Sequence, residues 1–118
     1  MKKITKKELN EILNKHALRL AGDIGGEMAD LSYTDLRGFD LSGLTLNIAN
    51  FEGSDLRGTD LSHSYLCRAD LRGADLRGAN VLLSDFRKAK LEGIKINHYT
   101  IGISSEILSN KQENDDGK

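Results

Sequence analysis

The residues of this chain whose side chains are most suited to nucleophilic or metal chemistry are one cysteine and three histidines. Cys67 and His63 are four positions apart, a spacing at which a thiol and an imidazole could contribute to a nucleophile or a metal site. A turn is predicted between them, however, and no acid completes the set. His16 and His98 lie far from the pair. We therefore expect no catalytic residue, no metal ligand and no cofactor.

The composition is that of one ordinary domain with nearly balanced charge. The 118 residues include 17 Lys and Arg and 18 Asp and Glu, which gives a net charge of −1. A surface that coats nucleic acid is strongly basic, so direct nucleic-acid binding is not expected. The basic residues 1–7 are not followed by the apolar run of a signal peptide, and no run reaches the length of a membrane span. With its single cysteine, the chain is expected to be cytoplasmic and to make no membrane contact.

A five-residue repeat dominates the sequence from residue 29 onward. Large apolar residues recur at this spacing, and we call their place the central position. They are Leu31, Leu36, Leu41, Leu46, Phe51, Leu56, Leu61, Leu66, Leu71, Leu76, Val81, Phe86, Leu91, Ile96 and Ile101. The residue two places earlier is mostly small, the residue one place earlier is mostly Asp or Asn, and the residue two places later is often Gly. The fifteen central residues form the predicted structural core.

Neither a straight α-helix nor a flat strand fits a period of five. In a helix, five residues advance by about 500°, so the central residues would spiral around it. In a strand, an odd period would put successive central residues on opposite faces. The period does fit a short extended segment followed by a corner, in which the central residue and the small residue two places earlier both point inward. The Asp or Asn would then support the turn, and Gly would relax the backbone at the corner.

The run Ala69-Asp-Leu-Arg-Gly, Ala74-Asp-Leu-Arg-Gly, Ala79-Asn resembles the pentapeptide repeat family, whose consensus is A(D/N)LXX. The resemblance covers residues 29–103. It implies an all-β solenoid, a right-handed quadrilateral β-helix with one repeat per face, four repeats per coil and just under four coils.

Such a solenoid exposes strand edges at both ends, so each end needs a cap. Thr5 and Glu8 have the spacing of a capping box, Ile4 and Leu9 could form a hydrophobic staple, and Gly22 is a natural stop. These signals predict an amphipathic helix over residues 5–21 that covers the first coil. A helix lying on a membrane surface is the alternative for this segment.

The C-terminal segment is more apolar than the middle of the chain, and two interpretations stay open for it. Residues 104–108 could cap the last coil, or two copies could form a homodimer through their C-terminal coils, as the resemblance allows. The polar residues 109–118 are expected to be disordered. The predicted organisation is a capping helix with a glycine linker over 1–28, the repeats over 29–103, and a cap with a polar tail over 104–118.

Residues twenty apart should stack on one face, which maps the surface. Arg37, Arg57 and Arg77 would form a column beside Asp35, Asp55 and Asp75. This column could bind a phosphate, an acidic protein patch or nucleic acid, but the matched aspartates favour an ion network that neutralises itself.

A second surface feature is apolar side chains at outward positions. These residues are Ile48, Leu82, Leu83 and Ile103. Leu83 and Ile103 should stack into a contact patch, unless a local bulge turns one leucine inward. The candidate partner-binding residues are therefore Arg37, Arg57, Arg77, Leu82, Leu83 and Ile103.

These observations favour a non-enzymatic protein-binding module, a small bacterial or phage inhibitor or adaptor that acts on a host enzyme. Some members of the resembled family imitate duplex DNA and occupy type II topoisomerases, so a DNA-mimicking gyrase binder is one alternative. The repeats hold ten acidic and nine basic residues, however, whereas a DNA mimic needs a strong negative field. A passive scaffold is the other alternative, and fold alone does not decide between these functions.

Overall fold

A computed structural model describes residues 1–116 of the chain, and the side chains of residues 1–112. The named elements are β1 at Lys2–Lys3, α1 at Lys6–Leu20, β2 at Thr34–Asp35 and α2 at Ser105–Asp116. Between α1 and α2, short extended pieces pair mainly through single bridges rather than through continuous strands. The five-residue repeat, and not long regular strands, therefore organises this part of the chain.

The bridges define a coil of twenty residues. Asp30 pairs with Asn50, Asn50 with Asp70, and Asp70 with Lys90, and all of these pairs are parallel. Because the repeat is five residues long, each coil holds four repeats and has four sides. Residues 29–88 form three coils, and a fourth begins at residue 89.

The four faces are numbered here by their central residues. Face 1 carries Leu31, Phe51, Leu71 and Leu91; face 2 carries Leu36, Leu56, Leu76 and Ile96; face 3 carries Leu41, Leu61 and Val81; face 4 carries Leu46, Leu66 and Phe86. Every central residue from Leu31 to Leu91 has an exposed fraction of 5% or less. The predicted core is therefore confirmed over these thirteen positions.

Each corner is a tight turn that the repeat residues close. On face 2 the Leu36 carbonyl accepts the Phe39 N–H at 3.2 Å. Gly38, the third residue of this turn, has a φ of 73°, as a type II turn requires. The Asp35 carboxylate accepts the Arg37 N–H at 3.1 Å. The same Asp or Asn contact recurs at most repeats, which confirms the predicted support of the turn.

Helix α1 begins and ends where its capping residues predict. Thr5 and Glu8 form both hydrogen bonds of a capping box, each at 3.1 Å. At the other end, Gly22 has a φ of 77°, and its N–H donates to the Arg19 carbonyl while the Asp23 N–H donates to the Leu18 carbonyl. This pair of bonds is a Schellman motif.

The N-terminal end of the solenoid is covered by two elements. The buried side chain of Leu9 on α1 joins the core cluster, and Ile12 and Leu13 pack against it. β1 pairs in parallel with β2, with Lys3 opposite Asp35. Together, α1 and β1 close the edge of the first coil.

Gly26 is more than part of a linker, because it lets the chain pass close to α1. A Cβ on Gly26 would lie 2.2 Å from the backbone nitrogen of Arg19. The next residue, Glu27, donates its N–H to the Lys15 carbonyl at 3.0 Å. Only glycine fits this close approach of two backbones.

The repeat frame slips by one residue in the last coil, which corrects two predictions. Asp75 pairs with Lys95 at the usual step of twenty, but Asn80 pairs with Ile101. Ile101 therefore takes an outward position and is 53% exposed instead of belonging to the core. Ile103, predicted to be outward and to stack on Leu83, is half-buried and packs against the core.

The physical reason for the slip is the fit of Thr100 and Gly102. The Thr100 hydroxyl donates to the Leu76 carbonyl at 2.8 Å, as the Thr59 hydroxyl does to Leu36 two coils lower. Thr100 thus replaces the bulky Tyr99 at the inward small position, and Tyr99 is 66% exposed. A Cβ on Gly102 would lie 2.4 Å from the Leu82 Cα, so only glycine fits where the backbone passes this close to Leu82.

The predicted disorder of residues 109–118 is wrong as far as residue 116, because α2 extends over Ser105–Asp116; residues 117–118 lie outside the described residues. The Ser104 hydroxyl accepts the Ile107 N–H at 3.1 Å, which caps the helix start. Ile107 is buried, and the Asn110 side-chain amide donates to the carbonyls of Phe86 and Ala89 at 3.2 Å. These contacts with the solenoid supply the stability that the polar sequence does not indicate by itself.

Candidate functional site

The arginine column of face 2 is paired with aspartates along its whole length. Arg57 donates from Nε and Nη2 to the two carboxylate oxygens of Asp55, at 2.9 and 2.7 Å. Its Nε also lies 3.8 Å from Asp75 of the next coil. Arg37 and Arg77 form the same bidentate pair with the aspartate two residues earlier.

These pairs hold both partners in their charged forms. Hydrogen bonds from the Arg37 side chain and backbone keep the pKa of the Asp35 carboxyl well below its usual range. The Arg57 side chain lowers the pKa of Asp55 in the same way, against a smaller opposing effect of burial. The geometry of face 2 thus favours the self-neutralised ion network over an arginine ladder that awaits an anion.

The predicted apolar pair, Leu82 and Leu83, lies at the corner between faces 3 and 4. Both side chains point outward, with exposed fractions of 45% and 71%. Beside them is an open hollow of about 470 Å³, which extends to Arg87, Gly102 and Ile107. The structure therefore leaves these leucines free to contact another molecule.

Leu83 also has an unfavourable backbone conformation. Its φ is 57°, in the left-handed region that glycine occupies at most corners of this solenoid. A residue with a Cβ is less stable there by roughly 1–2 kcal/mol. Residues that retain such a conformation on a surface are candidates for function.

Most residues of this kind flank face 4. Outside glycine, a positive φ occurs at Tyr33, Ile48, His63, Arg68, Leu83 and Lys88. His63 and Leu83 lie at the corner that leads into face 4, and Ile48, Arg68 and Lys88 lie at the corner that leaves it. The corners that leave face 2 are glycines in the first three coils, at positions 38, 58 and 78.

Face 4 also departs from the repeat at its outward positions, where Thr45 and Tyr65 replace the usual Asp or Asn. The turn at Tyr65 is supported instead from the coil below, because the Asn47 side chain accepts the Cys67 N–H at 2.9 Å. Tyr65 is consequently 54% exposed rather than engaged in the turn. The backbone of this turn therefore keeps its hydrogen bond although position 65 carries an exposed tyrosine in place of Asp or Asn.

The cations of face 4 differ from those of face 2. Arg68 is exposed and, unlike the other five arginines of the repeats, has no aspartate two residues before it. Neither Arg68 nor Lys88 forms an ion pair with any described side chain. Arg87 is paired with Asp85 at 2.8 Å. Face 4 therefore presents two cations that the fold itself does not neutralise.

A buried histidine supports face 4 from below. The Nδ1 of His16 accepts the Ala29 N–H at 2.9 Å, so its ring proton is on Nε2, which donates to the Asn47 carbonyl at 3.1 Å. Burial lowers the pKa of the imidazole, and the bond to Asn47 opposes this effect. His16 thus joins α1 to Ala29, at the start of the first repeat, and to Asn47, on face 4 of the first coil. Sequence reasoning missed this role because His16 was placed far from the other histidines.

His63 and Cys67 both belong to face 4 and its corner, but their surroundings differ. His63 is exposed at the corner, whereas Cys67 is half-buried beside Asp85 and Arg87. Within the described part of the chain, no group of three or more His, Cys, Asp and Glu side chains is arranged to hold a metal ion. In the same part, neither helix is long and apolar enough to cross a membrane.

Comparisons with known proteins agree on one kind of repeat. A family model described as pentapeptide repeats matches residues 29–62, 46–81 and 54–93, with 8 copies. A pentapeptide repeat protein, Rfr23 from the cyanobacterium Cyanothece 51142, is 30% identical; the match covers 63% of this chain and 54% of that chain, with a TM-score of 0.58. This chain thus spans about half the length of Rfr23.

Two further solved structures are similar over part of their length. The pentapeptide repeat protein alr5209 from Nostoc Pcc 7120 is 38% identical, with coverage of 71% of this chain and 74% of that chain and a TM-score of 0.38. QnrB1, a plasmid-mediated fluoroquinolone resistance protein, is 17% identical, with coverage of 58% and 41% and a TM-score of 0.34. No curated protein matches the sequence.

Proposed function

Because this chain belongs to the pentapeptide repeat family, we propose that it is a non-enzymatic protein-binding module, a small inhibitor or adaptor of bacterial or phage origin. Its target in this proposal is an enzyme of the host, met in the cytoplasm. We infer in addition that the four-sided solenoid has the right-handed twist of the family's quadrilateral β-helix.

The observation that carries the proposal is the combination of exposure and backbone conformation at Leu83. This leucine is 71% exposed and has a φ of 57°, at a corner type that glycine fills at seven other repeats. Neither burial nor backbone preference accounts for a large apolar side chain at that place. Contact with a partner does account for it, because large apolar side chains in the centre of an interface contribute much of the binding energy.

The DNA-mimicking gyrase binder is less well supported. Its acidic surface would have to come from the aspartate columns, and the column of face 2 is neutralised by bidentate arginines. The similarity to QnrB1 is too distant to transfer a target. A passive scaffold explains the paired charges of face 2 but not the strained, exposed residues around face 4.

The test is a pull-down from bacterial lysate with tagged wild type and two variants, followed by mass spectrometry. Leu83→Gly removes the apolar side chain and relaxes the backbone. Tyr33→Gly is the matched control, since Tyr33 is also exposed and has a φ of 50° at a corner of face 1. We expect wild type and Tyr33→Gly to enrich the same enzyme, and Leu83→Gly to lose it.

Thermal melts of the three proteins exclude a trivial cause. Leu83→Gly should melt no lower than wild type, so loss of the partner would reflect a lost contact and not unfolding. Retention of the partner by Leu83→Gly would remove this corner from the binding site. Enrichment of gyrase would favour the DNA-mimic alternative, and enrichment of no protein by wild type would favour the scaffold.

A further inference from the structure

The outside of face 4 is built from a different set of residues than the rest of the solenoid. With its two corners, this face comprises residues 43–48, 63–68 and 83–88. Its exposed apolar side chains are Ile48, Tyr65 and Leu83, with exposed fractions of 53%, 54% and 71%. They occur on all three coils, so the apolar surface runs along the whole face and is not limited to one corner.

Face 4 carries a net positive charge, whereas the rest of the repeat region taken together is net negative. These three segments hold three cations, Arg68, Arg87 and Lys88, and one acid, Asp85. The remaining residues of 29–103 hold six cations and nine acids. The nearly neutral sequence therefore places an excess of cations on face 4 and an excess of acids on the rest of the repeat region, where faces 1 and 3 carry it.

The cations of this face are available to a ligand to different degrees. Arg68 and Lys88 form no ion pair with a described side chain, while Arg87 is bound to Asp85 at 2.8 Å. Helix α2 brings a further acid to this end of the face. Its Glu106 borders a hollow of about 390 Å³ together with Arg87 and Lys88. Arg68, at the corner that leaves face 4 in the second coil, stacks directly above Ile48 of the first coil.

We propose that face 4 binds an acidic segment of a partner protein in which apolar residues alternate with Asp or Glu. The inference rests on the proposed protein-binding function and names the chemistry of the partner. The cationic corner at Arg68 and Lys88 is complementary to carboxylates, and Ile48, Tyr65 and Leu83 are complementary to apolar side chains. A nucleic acid would match the cations but would leave these apolar side chains without a partner.

The proposal can be tested with a defined probe and without knowledge of the natural partner. The probe is a short fluorescein-labelled peptide of alternating Glu and Leu, and its Kd for the full chain is measured by fluorescence anisotropy. A peptide with Gln in place of Glu controls for charge, and a labelled single-stranded oligonucleotide controls for a nucleic-acid surface. We expect the acidic peptide to bind best, with an affinity that falls as salt is raised.

Two double variants with the same change in net charge locate the site. Arg68→Gln/Lys88→Gln removes two cations from face 4, and Arg57→Gln/Arg77→Gln removes two from face 2. We expect the first pair to weaken binding of the acidic peptide by about tenfold and the second pair by less than about twofold. Backbone amide shifts in NMR spectra should change at residues 43–48, 63–68 and 83–88 when the peptide is added.

Several results would overturn the inference. Equal weakening by both double variants would mean attraction to net charge alone. Equal binding of the Gln peptide, stronger binding of the oligonucleotide, or no binding of the acidic peptide would each contradict an acidic protein segment as ligand. The proposed function fails separately, since it depends on a protein captured through Leu83. Capture of a protein through Leu83 without binding of the acidic peptide would preserve the proposed function and refute this inference. Binding of the acidic peptide without such capture would support this inference and refute the proposed function.

Discussion

The corners that leave face 2 are glycines in the first three coils, and its Asp and Arg columns bind each other. The corners that leave face 4 are Ile48, Arg68 and Lys88, and its exposed side chains are of mixed type. The two faces are nevertheless identical in plan on the inside. Leu56 and Leu66, their central residues in the second coil, are both fully buried. The comparison teaches that the interior of this solenoid constrains its central residues but leaves the outer ones free to specialise.

The largest expected effect tests the shared interior. Leu56→Ala on face 2 and Leu66→Ala on face 4 should each lower the free energy of unfolding by about 2–5 kcal/mol, because each leaves a cavity in a packed column. Urea denaturation of both variants measures this. If one variant lost much less stability than the other, the two faces would differ inside as well as outside.

The next effect concerns the histidine below face 4. His16→Leu should lower the free energy of unfolding by about 1–3 kcal/mol at pH 7.5, because the buried Ala29 N–H and Asn47 carbonyl lose their partner. The variant should also lose the pH dependence that His16 confers, which urea denaturation between pH 5 and pH 7.5 would detect.

The direction of that pH dependence follows from the lowered pKa of His16. The folded protein favours the neutral imidazole, so this contribution is fully present above the unfolded pKa of about 6.5 and is lost as the pH falls through the folded pKa. On face 2, the lowered pKa values of Asp35, Asp55 and Asp75 give the same direction at lower pH. Their contribution is present above about pH 4 and lost under stronger acid. A wild-type protein with constant stability between pH 7.5 and pH 5 would contradict the assigned role of His16.

The corners of the two faces should respond in opposite directions to exchange of glycine. Gly58→Ala on face 2 puts a Cβ at a φ of 68° and should lower the free energy of unfolding by about 1 kcal/mol. Arg68→Gly beside face 4, at a φ of 59°, should not lower it. Differential scanning calorimetry of both variants checks this contrast, and a clear loss of stability in Arg68→Gly would show that its side chain supports the fold.

The smallest effect is expected for the ion pairs of face 2. Arg57→Gln should lower the free energy of unfolding by about 0.2–1 kcal/mol, because the pair with Asp55 is largely exposed on the arginine side. High salt should reduce the difference between variant and wild type. Arg68→Gln is the matched control, and it should change stability less because Arg68 has no described ion-pair partner.

The outward surface was predictable only in part. The matched Asp and Arg residues of face 2 indicated a self-neutralised network, and the bidentate contacts agree with that interpretation. Leu82 and Leu83 were identified as outward, and both are exposed. Face 4 as a unit was not identified, although its signal was present in the sequence. Positions 48, 68 and 88 lack glycine in every coil, at a place where faces 1 and 2 mostly carry it.

The sequence by itself determined the period, the direction of each side chain over residues 29–93, and the start and stop of α1. Each of these depends on local chemistry: alternation along an extended segment, a turn that needs a positive φ, and caps within one helical turn. Because four repeats make a coil of twenty residues, an unbroken repeat also predicts which residues stack on each other in neighbouring coils.

Only the tertiary structure decided the features that depend on contacts across coils and ends. The frame slip that exposes Ile101 was set by the hydroxyl of Thr100 and the close approach of Gly102 to Leu82. The order of α2 depends on Ile107 and Asn110 meeting the last coil, and His16 finds Ala29 and Asn47 only when α1 lies against the solenoid. Such contacts join residues whose spacing follows no repeat, so their energies enter only when the chain is folded.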